Sequence, residues 1–369
     1  MKKSLFVLPF MLLLIYCNNP GKPEQSQAKP AFQVSKDSIL FSFVFVGCNR
    51  LDHKDVAKQQ PYDGSTANRA VLKWIFDQVM QLPHKPEQFF FLGDIVLGET
   101  DTTTLDGQLK AWVNLYQDQG FSNFQNSGIE FVAVPGNHEM LYAGQHHKEW
   151  PLNGATDVWM RSMGGFMPKD RDQVPAKSGN SRMTFAFKRH NVGFIVMNTD
   201  TYNDPTAQNP NGLEGIIDTQ WIVDKVKQYR ADKSIEHIFV LGHKPCYVDN
   251  QIETGHDGLP EGPIIWPVLN QSHVCAMLSA HVHDYQRMQP GNAGTYQIIA
   301  GNGGSPGQAA FYGFTLINVL RNGNIELKSI GFDKGNPYYT VPANAEAIVQ
   351  DSSILTWSTN SNPYFGVSK

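Results

Sequence analysis

Cysteine is scarce in this sequence: the only four in 369 residues are Cys17, Cys48, Cys246 and Cys275. Cys17 closes an apolar N-terminal run, which leaves three thiols. Even an oxidising compartment can pair only two of those. No charge of one sign prevails either. Thirty Lys and Arg against 34 Asp and Glu give a net charge of −4, which argues against nucleic acid as a general partner. Internal repeats are missing, so a solenoid or propeller array is excluded. A long hydrophobic run is missing too, because Leu5–Tyr16 is too short to cross a bilayer comfortably as a mature helix. What is present is a globular composition, 41% hydrophobic and 17% charged, with material for an ample core. The length allows one large domain or two ordinary ones.

Met1-Lys2-Lys3 ahead of the apolar run makes a signal-peptide pattern. The run stops at Cys17, which resembles the cleavage and acylation point of a bacterial lipoprotein, although Tyr16 stands where a small residue is usual. A plain secretory signal fits the same residues, and the flanking pattern favours the lipoprotein. Residues 18–37 are rich in Pro, Gln, Lys and Ser and read as a flexible tether. The mature chain is expected to be exported to a bacterial cell envelope or periplasm, with lipid on Cys17 as its membrane anchor.

The body alternates strands and helices. Ile39–Val46 reads as a strand breaking at Gly47-Cys48-Asn49-Arg50, and Phe89–Leu92 as one ending in Gly93-Asp94. Ile129–Val134 runs into Gly136-Asn137-His138-Glu139, Ile235–Leu241 into Gly242-His243, and Val274–Ser279 into Ala280-His281-Val282-His283. Helical periods cover 66–82, 105–116 and 219–229. Met183–Phe187 with Val192–Met197, and Tyr312–Val319 with Ile325–Ile330, read as antiparallel pairs. Residues 142–181 have no clean period and are expected to form loops over the site, with a helix near Val158–Met163. This gives a signal peptide at 1–17, a linker at 18–37, one domain at 38–335 and an extension at 336–369 packed on it. The alternation indicates an α/β sheet with its polar residues at the strand ends, where such sheets bind ligands.

Residues i and i+2 of an extended segment point to one side, so His281 and His283 can aim two imidazoles at one spot and hold a metal. Taken singly, each polar residue has an ordinary explanation. Asp94 can be a turn residue, Asn137 a helix cap, and His138 or His243 a core or surface histidine. Taken in order at successive strand ends, they demand a common one.

The set Gly93-Asp94, Gly136-Asn137-His138-Glu139, Gly242-His243 and His281-Val282-His283 resembles the calcineurin-like metallophosphoesterase superfamily, over roughly residues 40–335. His243–Tyr247, His281–Arg287 and Gln220-Trp221 are similar to purple acid phosphatases within it. The resemblance implies a four-layer α/β/β/α sandwich of two mixed sheets. It also implies two divalent or trivalent metal ions (Fe, Zn or Mn), and a phosphate-ester small-molecule substrate, monoester or diester. Two cations roughly 3.5–4 Å apart activate a water and neutralise the phosphoryl oxygens. By the same resemblance Asp94 bridges the metals, and Asn137, His243 and His281 complete one site. His283 belongs to the other, and His138 protonates the leaving oxygen with Glu139 orienting it. Tyr285 and Arg287 fit a core tyrosine and a salt-bridged arginine equally well.

One motif departs from the family. The first strand is expected to end in an aspartate ligand, and here it ends in Cys48-Asn49-Arg50. The tyrosine that purple acid phosphatases carry three residues after the bridging aspartate is Leu97 here, so no tyrosinate colour is expected. Cys48 can serve as a thiolate ligand, Asp52 or His53 can fold into the site, or Arg50 can supply positive charge beside a single metal. A Cys48–Cys246 disulfide, or a buried Cys48 acting as a small apolar residue, competes with these. The altered motif also leaves a second functional class open, a non-catalytic relative that binds a phosphorylated ligand or a surface partner.

Overall fold

Strand β1 (Ile39–Val46) sends Phe41, Phe43 and Phe45 into one apolar cluster and Val44 and Val46 into another. Both of its faces are covered, which is why its sequence is almost continuously hydrophobic. The computed structural model describes residues 38–53, 69–143, 149–175, 181–200, 217–248, 256–290, 294–307, 309–334, 341–357 and 364–366. Residues 66–68, where the first helical period is expected to begin, lie outside them, as do Cys17 and the tether. The first described helices are α1 (Arg69–Met80) and α2 (Thr102–Gln117). Helix α2 starts at Asp101, whose carboxylate accepts from the backbone N–H of Thr103 and Thr104.

Beside β1 runs β2 (Gln88–Leu92), parallel to it and to β3 (Glu130–Val134). After β3 come the short helix α3 (Asn137–Met140), the small hairpin of β4 (Leu141–Ala143) and β5 (Glu149–Pro151), and α4 (Ala155–Met163). The second sheet collects β6 (Asp172–Gln173), β7 (Phe185–Arg189), β8 (Val192–Met197), β9 (His237–Gly242), β10 (Ala276–Ser279), β11 (Tyr285–Met288) and β12 (Tyr296–Ala300). Helices α5 (Thr219–Ala231) and α6 (Gly262–Gln271) cover its outer face. Strands β13 (Phe311–Leu320), β14 (Ile325–Asp333) and β15 (Ile348–Leu355) return to the first sheet, while β16 (Tyr364–Gly366) closes the second.

The orders are β15-β14-β13-β1-β2-β3 and β16-β11-β12-β10-β9-β8-β7-β6, and both sheets mix parallel with antiparallel pairs. Between the sheets Phe43 meets Phe90, Phe194 and Phe239 edge-on, with ring centroids 5.1–5.7 Å apart. Helices α1 and α2 cover the outer face of the first sheet through Val71, Ile75, Leu109 and Trp112. The result is the expected four-layer α/β/β/α sandwich. No helix among the described residues is long and apolar enough to cross a membrane.

Parallel registers align the strand ends. Val46 lies level with Phe91, Leu92 with Val134, and Leu278 with Leu241. The loops after β1, β2, β3, β9 and β10 therefore leave the sheets at one rim. Two edges carry more regular structure than the sequence suggests. The extension at 336–369, for which the sequence indicates no strands, supplies β15 and β16.

Candidate metal centre

Glycines set the closeness of the rim loops. Gly93 adopts φ +84, and a Cβ there would overlap the ring of His243. A Cβ on Gly136 would stand 2.5 Å from Asp94 Oδ1. The loops are then stitched by Glu139, whose carboxylate accepts from the backbone N–H of Gly136 (2.7 Å), Asp94 (3.1 Å) and Val96 (3.0 Å). Burial and the nearby Asp94 carboxylate lift the Glu139 carboxyl to about 7. Glu139 thus supports the backbone under Asp94; none of these contacts is to the His138 ring, which it was expected to orient. That ring donates from Nδ1 to the Leu97 carbonyl at 2.5 Å, and its Nε2 stands 3.2 Å from Glu99 Oε1.

Carbonyls accept hydrogen bonds and never donate them, so each one touching a histidine fixes its tautomer. His243 donates from Nδ1 to Leu92 O at 2.7 Å, which leaves the Nε2 lone pair facing inward. That lone pair meets Asn137 Oδ1 at 2.9 Å, Asp94 Oδ1 at 3.1 Å and His281 Nδ1 at 3.2 Å. His281 has its Nε2 3.3 Å from the Asp257 carboxylate, so Nε2 carries the proton and Nδ1 is the free donor. With His243 neutral, four buried electron-pair donors converge with no hydrogen among them. Such an arrangement repels itself unless a cation sits in it, and the donor set fits a metal ion. Burial disfavours the charged form of His243, but the Asp94 carboxylate outweighs this and raises its pKa. A proton can therefore stand in where a metal would bind.

A second group of donors adjoins the first. Cys48 Sγ, one oxygen of Asp94 and one nitrogen of His243 lie within 4.8 Å of one another. His283 donates from Nδ1 to Pro306 O at 2.6 Å, and its buried Nε2 has no hydrogen-bond partner among the described residues. Burial lowers the His283 pKa well below the usual value, and Arg50 and His256 lower it further, which keeps the lone pair available. Burial and then Asp94 hold the Cys48 thiol well above its usual range, so only a bound cation would make it a thiolate there. Cys48, Cys246 and Cys275 are all free. Cys48 packs between the sheets and Cys246 under α5 and α6, which rules out the disulfide considered between them.

Asp94 joins these groups. Its Oδ1 faces the four-donor set, while Oδ2 takes Arg50 Nε at 3.2 Å and lies 3.9 Å from His138 Nε2. Burial alone would raise its pKa, but His243, His138 and Arg50 together hold the carboxyl well below its usual range. Backbone strain collects here as well: Cys48, Arg50, Asp94, Glu99 and His281 all have φ between 49° and 65°.

The structure thus brings Cys48, Asp94, Asn137, His138, His243, His281 and His283 to one rim. Asp52 pairs with His53 at 3.1 Å, and neither belongs to the tight cluster around Asp94. Tyr285 and Arg287 lie away from the chemistry and bond Asp351 on β15. Sequence reasoning missed Glu99, His256, Asp257 and Lys244. The His256 ring centroid stands 4.7 Å from that of His283 and 5.0 Å from that of His281. The fully buried Lys244 reaches Asp257 at 3.3 Å and Asp200 at 3.4 Å. The one sequence signal for His256 and Asp257 is that they form a polar pair between two glycines, Gly255 and Gly258.

The sequence profile of the family described as calcineurin-like phosphoesterase matches residues 53–285, a range that begins just after Cys48-Asn49-Arg50. No curated protein matches the chain. Among solved structures, purple acid phosphatase PPD1 from yellow lupin (Lupinus luteus) seeds superposes with a TM-score of 0.55 at 15% identity, covering 85% of this chain and 53% of the lupin chain. The chain therefore spans about half the length of that protein. PhoD superposes with a TM-score of 0.55 at 12% identity, covering 89% of this chain and 71% of its own. At these identities the likeness is one of fold.

Proposed function

This chain belongs to the calcineurin-like phosphoesterase family, and from that premise we propose that it is an exported, metal-dependent hydrolase of phosphate esters. Members of the family bind divalent metals at a dinuclear site. Here Asp94, Asn137, His243 and His281 would hold one ion, and Cys48, Asp94 and His283 the other. Bound metal supplies an activated water and positive charge for the phosphoryl oxygens. The protein's own part is positional. Leu92, Pro306 and Asp257 fix the tautomers of His243, His283 and His281, and Glu139 fixes the Asp94 turn. His138, its Nδ1 tied to Leu97 O, presents Nε2 toward Asp94 and delivers a proton to the leaving oxygen.

The observation that carries this reading is the convergence of donor atoms from His243, His281, Asn137 and Asp94, with contacts of 2.9–3.2 Å among them. The test is hydrolysis of a chromogenic phosphate ester by purified protein, with and without Mn, Zn or Fe. Activity should follow metal content. Metal-loaded protein that cleaves neither monoesters nor diesters would leave the non-catalytic reading, which the Arg50–Asp94 pair favours because a cation already touches the carboxylate.

A further inference from the structure

Arg50 closes the strained turn after β1 and is fixed by backbone on both sides. Its N–H donates to Asp94 O at 2.8 Å, and the Asn49 N–H reaches the same oxygen at 3.0 Å. The Asn49 side chain donates to Gly303 O at 2.8 Å. At φ 58° Arg50 holds a conformation that disfavours every residue except glycine. The cost is borne in a turn that bonds the Asp94 backbone and aims the Arg50 side chain at the Asp94 carboxylate. Through Nε the guanidinium takes Asp94 Oδ2 at 3.2 Å, and 14% of the side chain remains exposed. That is its one hydrogen bond among the described residues, so its terminal nitrogens remain as donors for something else. His138 approaches the same Oδ2 at 3.9 Å. Arg50 and His138 therefore flank one oxygen of Asp94, while the other oxygen faces the His243 donor set.

We propose that Arg50 is the phosphoryl clamp of this protein, binding two unesterified oxygens of the substrate phosphate and thereby selecting phosphomonoesters. The proposal rests on the phosphoesterase reading above and narrows its substrate class. A guanidinium offers a planar fork that matches two phosphate oxygens. A monoester has three unesterified oxygens, enough for the fork and for the metal side together. A diester has two, so it cannot satisfy the fork without giving up oxygens to it. The monoester also carries the larger negative charge, which a fixed cation in a buried site rewards.

The test titrates inorganic phosphate into the metal-loaded full chain by calorimetry, with metal content measured on the same samples. Arg50→Gln is expected to keep its metal and to weaken phosphate binding by about 10–100-fold, the loss of charge-assisted hydrogen bonds. Arg50→Lys keeps a charge beside Asp94 and is expected to recover part of that loss, because an ammonium lacks the fork. In hydrolysis, Arg50→Gln should reduce kcat/KM for an aryl monoester by about tenfold more than for the matching diester. Equal phosphate affinity of wild type and Arg50→Gln at matched metal content overturns the clamp, and so does full recovery by Arg50→Lys. A wild type that loses phosphate affinity on Arg50→Gln yet cleaves no ester removes the hydrolase reading and upholds the clamp. Hydrolysis of monoesters that is indifferent to Arg50→Gln does the reverse.

Discussion

His138 is held by a carbonyl on one ring nitrogen and approached by Glu99 and Asp94 on the other. Replacing it removes a proton donor and leaves the metal-facing donors in place. His138→Ala should therefore keep its metal, measured by elemental analysis, while turnover of alkyl phosphates falls by about 10²–10⁴. The loss should shrink with aryl phosphates, whose leaving groups need little protonation. An equal loss on both would assign His138 to positioning. His281 differs from the other metal-facing histidines in that its tautomer rests on a side chain, Asp257. Asp257→Ala should lower metal affinity by about 10–100-fold, read by competition with a chelating dye. Cys48→Asp tests the altered first motif: if Cys48 Sγ holds a metal, the aspartate variant should shift preference from Zn or Fe toward Mn. The residues legible in the sequence were those directly following an apolar run. Glu99, Lys244, His256 and Asp257 reach the site by the course of their loops, which no period records.

Elements that alternate strictly were readable, and the exceptions have physical reasons. Helix α6 contains Pro267 and carries Ile265, Trp266 and Leu269 inward, so its run reads neither as a clean helix nor as a strand. Strand β11 begins at Tyr285, two residues after His283, in a stretch whose polar residues suggest a loop. Strand β15 is held from outside its own sheet. Asp351 accepts from Tyr285 Oη at 2.7 Å and from Arg287 Nε at 2.7 Å, and those donors stand on β11 in the second sheet. The Asp351 clamp joins the two sheets through a charge that is almost wholly buried. Asp351→Ala would remove the buried carboxylate that both Arg287 and Tyr285 bond, and the expected cost is about 3–5 kcal/mol. Denaturant unfolding with an unchanged m-value should show it as a lower midpoint. A shift of a few tenths of a kcal/mol would mean that β15 is held by its ladder to β14 alone.

On the scale of the whole molecule the donors come from both sheets, so a bound ion ties the two halves of the sandwich together. An ion at a hundredfold excess over its Kd adds about 2.7 kcal/mol to stability, so chelation should lower the Tm by several degrees. No change on chelation would place the ions elsewhere. We propose that Cys17 carries a lipid anchor: Cys17→Ser should then move the protein from the membrane fraction to the soluble one, and unchanged fractionation would overturn that proposal. The sheet order has a consequence in time. Strand β1 (Ile39–Val46) needs β13 (Phe311–Leu320) as its neighbour, and the donor atoms run from Cys48 to His283. A ribosome adding roughly 5–20 residues per second needs tens of seconds between the two strands. For all that interval the first strand has an open side and the donor set is incomplete. If the chain is exported N-terminus first, as proposed, it leaves unfolded, and its ion would come from whatever the outer compartment offers once the last strand has arrived.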